Sequence, residues 1–92
     1  MRITFSGEVK LFERDKGWYY VTVPSELSKS LLHLADRGLI AVTAGIGGSS
    51  WSTSLLPMGD GTHFIALPAK VRKKEKLSHG MMADVSFEPR TR

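Results

Sequence analysis

The chain has 92 residues, 41% of them hydrophobic and 24% charged, with thirteen Lys and Arg against nine Asp and Glu and no cysteine. That composition is globular rather than disordered, and a chain this short holds one core, so residues 1–92 are expected to form a single domain. The missing cysteine excludes disulfides, thiolate metal sites and cysteine nucleophiles and agrees with a cytoplasmic location, while the longest aliphatic run, Leu39 to Val42, is far too short for a membrane span or a signal-peptide core.

Ile3, Phe5, Gly7, Val9 and Leu11 alternate with Thr4, Ser6, Glu8 and Lys10, the period of a half-buried strand. Asp15-Lys16-Gly17 is turn chemistry, and Trp18 to Val23 is a second strand, antiparallel to the first, that Pro24 ends. Leu27, Leu31 and Leu34 then form one apolar helical stripe, with Arg37 in the last turn and Gly38 as the C-terminal cap, which predicts a helix near 25–37. Leu39 to Ala44 is a buried strand or loop, and Gly45 to Ser50 a turn or loop. Trp51, Thr53 and Leu55 alternate toward Pro57, Gly59-Asp60-Gly61 turns the chain, and Thr62 to Leu67 is a strand stopped by Pro68. A shorter helical turn is expected near 69–76, then a last strand from Met81 to Glu88, then a frayed tail from Pro89 to Arg92.

Pro24 and Pro68 lie 44 residues apart. At that offset Leu11 falls on Leu55, Gly17 on Gly61 and Lys29 on Lys73, with Tyr20 on Phe64, Val21 on Ile65 and Val23 on Leu67. Strand, glycine turn, strand, proline and helix match in one register, which makes two halves of approximately 2–44 and 46–88. One such half could not bury its own apolar face. Two halves about an approximate two-fold axis close a small mainly β barrel, with one short helix and one helical turn. Ile3, Phe5, Val9, Val21, Val23, Leu55, Ile65, Leu67 and Val85 are the expected core. Both halves lie in one chain, so a monomer is expected.

The segment from Lys70 to Lys76 holds five bases, Lys70, Arg72, Lys73, Lys74 and Lys76, and one acid, Glu75. It accounts for the whole net charge of +4. Two readings stand: a surface that attracts phosphate or an acidic partner, and a solvated turn carrying cations for solubility, the commoner case.

Gly45-Ile46-Gly47 begins like a dinucleotide-binding fingerprint, but Ser50 takes the third glycine position and a strand pattern follows, so a tight hairpin turn is the better reading. No lysine follows as a phosphate-binding loop needs. His33, His63 and His79 have no metal-ligand spacing, Ser49 and Ser50 have no nucleophile elbow, and no carboxylate dyad stands out. No metal, cofactor or catalytic residue is therefore expected. Trp18 and Trp51 both fall at strand starts, where they are core or rim residues or, with His63, frame a ligand pocket at a barrel end.

Phe64 to Leu67, Pro68, Val71-Arg72, Leu77, His79-Gly80 and Val85-Ser86-Phe87 resemble the swapped-hairpin half-barrel of the AbrB and MazE type of DNA-binding proteins. Over residues 2–88 the chain is more similar to DUF1905, a bacterial family of unknown function. That resemblance rests on Tyr20 to Pro24, the glycine turn before Trp51 to Leu55, Gly59-Asp60-Gly61, and Leu67-Pro68 through Arg72-Lys73-Lys74. It implies a double-split β-barrel with both half-barrels in one chain, and it carries no activity. The chain departs from the family in having Gly47-Gly48 for the usual Asn-Gly and Gly80-Met81 for Gly-Asp.

The expected function is a non-enzymatic binding module. Its first candidate partner is nucleic acid or an acidic protein, met weakly through Lys70, Arg72, Lys73, Lys74 and Lys76. The alternative is a small molecule at a barrel end near Trp18, Trp51 or His63.

Overall fold

A computed structural model describes residues 2–12 and 18–90. The turn expected at Asp15-Lys16-Gly17 lies outside the described residues.

The alternating first segment forms β1 (Ile3–Glu8) and β2 (Lys10–Leu11), separated only by Val9. β3 (Tyr19–Val23) leads through Pro24 into helix α1 (Ser25–Leu31), and β4 (Ile40–Ile46) and β5 (Ser49–Pro57) form a hairpin about Gly47-Gly48. β6 (His63–Leu67) leads through Pro68 into helix α2 (Ala69–Glu75), and β7 (Met82–Pro89) completes the fold. All pairings are antiparallel, and the strand order is β1-β7-β4-β5-β6-β3-β2. Because β1 and β2 are neighbours in the chain, this order returns to its start. Val9 N–H donates to Met81 O at 2.7 Å, and Gly80 N–H donates to Val9 O at 2.8 Å. The result is the expected small barrel, mainly β, with two short helices.

Two strands change partner to close it. The β1–β2 segment pairs with β7 through Ile3–Glu8 and with β3 through Lys10–Leu11. β5 pairs with β4 through Ser49–Leu55 and with β6 through Leu56–Pro57. β3 and β6 pair about Val21 and Ile65, two residues that are themselves 44 apart. The two helices have seven residues each and also begin 44 apart. Elsewhere the spacing drifts: β4 and β7 begin 42 apart, β1 and β5 46 apart.

Val9, Val21, Val23, Val42, Leu55, Ile65 and Val85 are wholly inaccessible and fill the barrel, with Phe5 and Phe87 packed edge to face. Every residue of the expected core is buried except Ile3, which is half-buried. At Gly7 the strands approach so closely that a Cβ would run into the Val21 side chain. At the turn before β6, Asp60 accepts hydrogen bonds from the Thr62 hydroxyl and the Thr62 N–H. The hydroxyl first and the N–H second hold its carboxyl below the ordinary range. Among the described residues no helix is long and apolar enough to cross a membrane.

Three expectations need correction. The helix expected near 25–37 ends at Leu31. The chain then tightens into a 3-10 turn (Leu32–Leu34), whose three residues per turn rotate the leucine stripe off the barrel. Leu31 is buried and Leu27 half-buried, while Leu34 is exposed and Leu32 is 51% exposed. Gly38 does not cap a helix. With Arg37 it forms a two-residue turn, at φ 56° and 84°, closed by hydrogen bonds between Asp36 and Leu39 in both directions. The tail is not frayed at Pro89 and Arg90: β7 runs through Pro89, and Arg90 N–H donates to Ala41 O at 2.8 Å. The Arg90 side chain adds Nε to Val42 O at 3.1 Å and Nη2 to Thr53 O at 2.9 Å.

Candidate functional site

The partner change of β5 creates an opening. From Pro57 to Leu56 the strand lies beside β6, but from Leu55 back to Ser49 it follows β4, while β6 continues along β3 to Leu67. Between the diverging strands lies an open cleft of about 430 Å³, with Trp18, Tyr19, Trp51, Leu67, Pro68 and Arg72 among its walls. Trp18, just before β3, is 48% exposed. Trp51 sits on β5 opposite Ala44 and is half-buried; its indole N–H is buried and has no acceptor among the described residues.

Arg72 comes to the cleft from α2. Its Nε donates to Leu67 O at 3.1 Å, and its guanidinium carbon stands 4.0 Å from the centre of the Tyr19 ring. A half-buried guanidinium in that position is held by both the carbonyl and the ring quadrupole. Tyr19 itself escapes a sequence reading: alternation places it on the face of Val21 and Val23, so it resembles core. Only its place at the strand start signals a rim.

Pro68 fixes the entry to α2, and Val71 is the helix's buried anchor. Lys70, Lys73 and Lys74 are exposed on its outer surface, and Lys76, in a left-handed conformation at φ 55°, ends it. Arg72, Lys73 and Lys74 lie in the last turn, where cations meet the negative end of the helix. Lys70 and Lys74, four apart, border a second cleft of about 410 Å³ against the Gly48–Ser50 segment. Trp51 and Pro68 are walls of both clefts, so the two are contiguous. Glu75, the one acid of the cluster, accepts a 2.7 Å hydrogen bond from Ser49 Oγ and ties α2 to the β4–β5 hairpin.

The structure thus brings Trp18 and Trp51 together with Arg72, and sets Lys70 and Lys74 beside them. It places His63 elsewhere. His63 opens β6 at the end opposite Leu67, is 3% exposed, and donates from Nε2 to Gly38 O at 3.1 Å. A carbonyl can only accept, so Nε2 carries a proton, while Nδ1 is buried and without a partner among the described residues. Among the described residues no three His, Cys, Asp or Glu side chains gather as a metal site. Gly45 and Ile46 belong to β4 and Gly47-Gly48 is the hairpin turn, so the glycines face no helix N-terminus.

The model of a family described as Domain of unknown function (DUF1905) matches residues 5–87, and the chain belongs to that family. No curated protein matches it.

Proposed function

We propose that this protein is a small cytoplasmic binding module without catalytic activity, which meets an acidic partner, nucleic acid first among them, through Lys70, Arg72, Lys73, Lys74 and Lys76. One observation carries this reading. Lys70 and Lys74 border a cleft continuous with an aromatic one, and no carboxylate is among the described walls of either. The only acid of the cluster is turned to Ser49. A local cation patch attracts polyanions with an affinity that falls as salt rises. Anisotropy titration with short labelled nucleic acids at low salt tests it. Binding is expected and is expected to weaken when Lys70, Lys73, Lys74 and Lys76 are all changed to Gln. Absent binding, or binding indifferent to those changes, overturns the reading.

A second reading places a small molecule in the Trp18–Trp51 cleft, whose volume of about 430 Å³ falls within the range of ligand pockets. His63 stands apart from that cleft, so such a ligand would rest on the tryptophans, Tyr19 and Arg72 without it. A thermal-shift screen against metabolites checks it, and the absence of any stabilising compound counts against it.

We also read residues 1–92 as one domain with related halves near 2–44 and 46–88. The matched positions of β3 with β6 and of α1 with α2 support this. With both halves in one chain, the expected state is a monomer, which light scattering at micromolar concentration decides.

A further inference from the structure

We infer that the acidic partner is single-stranded nucleic acid, with bases stacked in the cleft between Trp18 and Trp51 and phosphates along Lys70, Lys73 and Lys74. The inference rests on the reading of the cation patch above and specifies its ligand.

The two clefts differ in chemistry and share a wall. The first is aromatic: Trp18, 48% exposed, and the half-buried Trp51 are among its walls, with Tyr19 beneath the Arg72 guanidinium. Trp18 therefore offers a flat apolar surface at this cleft that a planar group can cover. Arg72 is held by Leu67 O and the Tyr19 ring, so the cleft keeps a planar cation in a fixed place. The second cleft offers charge, Lys70 and Lys74, and meets the first at Trp51 and Pro68. A ligand that fits both must alternate flat apolar groups with negative ones over a short distance.

Single-stranded nucleic acid has that repeat. Its unpaired bases present π-faces to aromatic walls, and its phosphates follow cations. A duplex keeps its bases stacked on one another and presents backbone and groove edges, so it meets the lysines but leaves the aromatic cleft unfilled. An acidic peptide likewise satisfies charge alone.

The protein reports on its own cleft, because Trp18 and Trp51 are its only tryptophans. The intact chain is titrated at low salt with a labelled single strand of roughly eight nucleotides, within the usual site size of such binders. A duplex of the same length, a polyphosphate and a polyglutamate are titrated in parallel. Anisotropy reads binding, and intrinsic fluorescence reads stacking. The single strand is expected to quench the tryptophans and to bind about tenfold more tightly than the duplex, as one stacked base would give. Trp18→Ala, at an exposed position outside the core, is expected to weaken the single strand at least about fivefold and the duplex little. Its melting curve confirms that the fold is kept. Changing Lys70, Lys73 and Lys74 to Gln is expected to flatten the salt dependence by about 0.7 in log–log slope per lysine.

A duplex, polyphosphate or polyglutamate that binds as tightly as the single strand overturns the inference and leaves the acidic-partner reading standing. So does single-strand binding that leaves tryptophan fluorescence and the Trp18→Ala variant unchanged. If no polyanion binds at low salt, the reading of the cation patch falls as well.

Discussion

The two helical connections begin alike and end in different chemistry. Each follows a proline that stops a strand, each has seven residues, and the same three positions turn toward the barrel in both. In α1 these are Leu27, Ser28 and Leu31; in α2, 44 residues later, they are Val71, Arg72 and Glu75. The offset that carries Ser28 to Arg72 also carries Tyr19 to His63. At the α1 end, Leu31 seals the barrel, and the Ser28 hydroxyl and His63 Nδ1 are buried without partners among the described residues. At the α2 end, Arg72 lies on Tyr19, Glu75 holds Ser49, and the split between β5 and β6 stays open. One backbone plan therefore makes a plug or an open cleft according to a few side chains.

The sharpest break in this contrast is Leu31→Ala against Glu75→Ala. Removing the buried leucine is expected to cost about 3 kcal/mol in urea unfolding, whereas removing Glu75 loses one hydrogen bond worth about 1 kcal/mol. Equal losses would mean that α2 seals its end as α1 does. His63→Ala is expected to cost about 2 kcal/mol, because it removes buried volume and leaves Gly38 O unpaired, and the same titration measures it.

The next pair occupies one position of the plan. Arg72→Met is expected to lose about 1 kcal/mol through the Leu67 and Tyr19 contacts, and Arg72→Lys to restore little, since an ammonium lacks the planar fork. Ser28→Ala is expected to be neutral or to gain up to about 1 kcal/mol, as a buried hydroxyl without a partner is removed. A clear loss on Ser28→Ala would reveal a partner for that hydroxyl.

The smallest effect lies at Asp60, outside both ends. Its lowered carboxyl pKa means that the anion is favoured in the folded state, so its contribution is present above the ordinary carboxylate range. It fades as pH falls through the lowered value. Asp60→Asn is therefore expected to lower the melting temperature slightly near neutrality and to have no effect in strong acid. An effect that grows in acid would reverse the assignment.

Most strands are legible because their signals are local, although the turn expected at 45–50 shrinks to Gly47-Gly48 as Gly45, Ile46, Ser49 and Ser50 join the β4–β5 hairpin. Alternation from Ile3 to Leu11 dictates which side chains enter the barrel, and prolines 24 and 68 mark where pairing stops. The end of α1 is illegible for a physical reason. A glycine after a leucine stripe serves a helix cap or a tight turn equally well, and the hydrogen bonds between Asp36 and Leu39 decide between them. Arg90 reads as tail because the carbonyls it holds, Val42 and Thr53, belong to strands far away in sequence. The cation cluster is plain in the sequence, but its meeting with Trp18 and Trp51 depends on β5 leaving β6, which no spacing along the chain records.

Val9 has a consequence for the life of the protein in a crowded solution. Its N–H and C=O both go to the Gly80–Met81 segment, so the pairing of β1 with β7 runs on to the one residue that links β1 to β2, the first and last strands of the order. The two ends of the strand order are thereby held in one continuous segment, and among the described strands the widest gap left in the pairing is where β5 leaves β6. Growth that starts from the ends of the strand order must wait for this clasp to part. Amide exchange at Val9 and Gly80 would therefore time the rare openings from which such growth begins, and a substitution that loosens the clasp would hasten aggregation even where the melting temperature hardly moves.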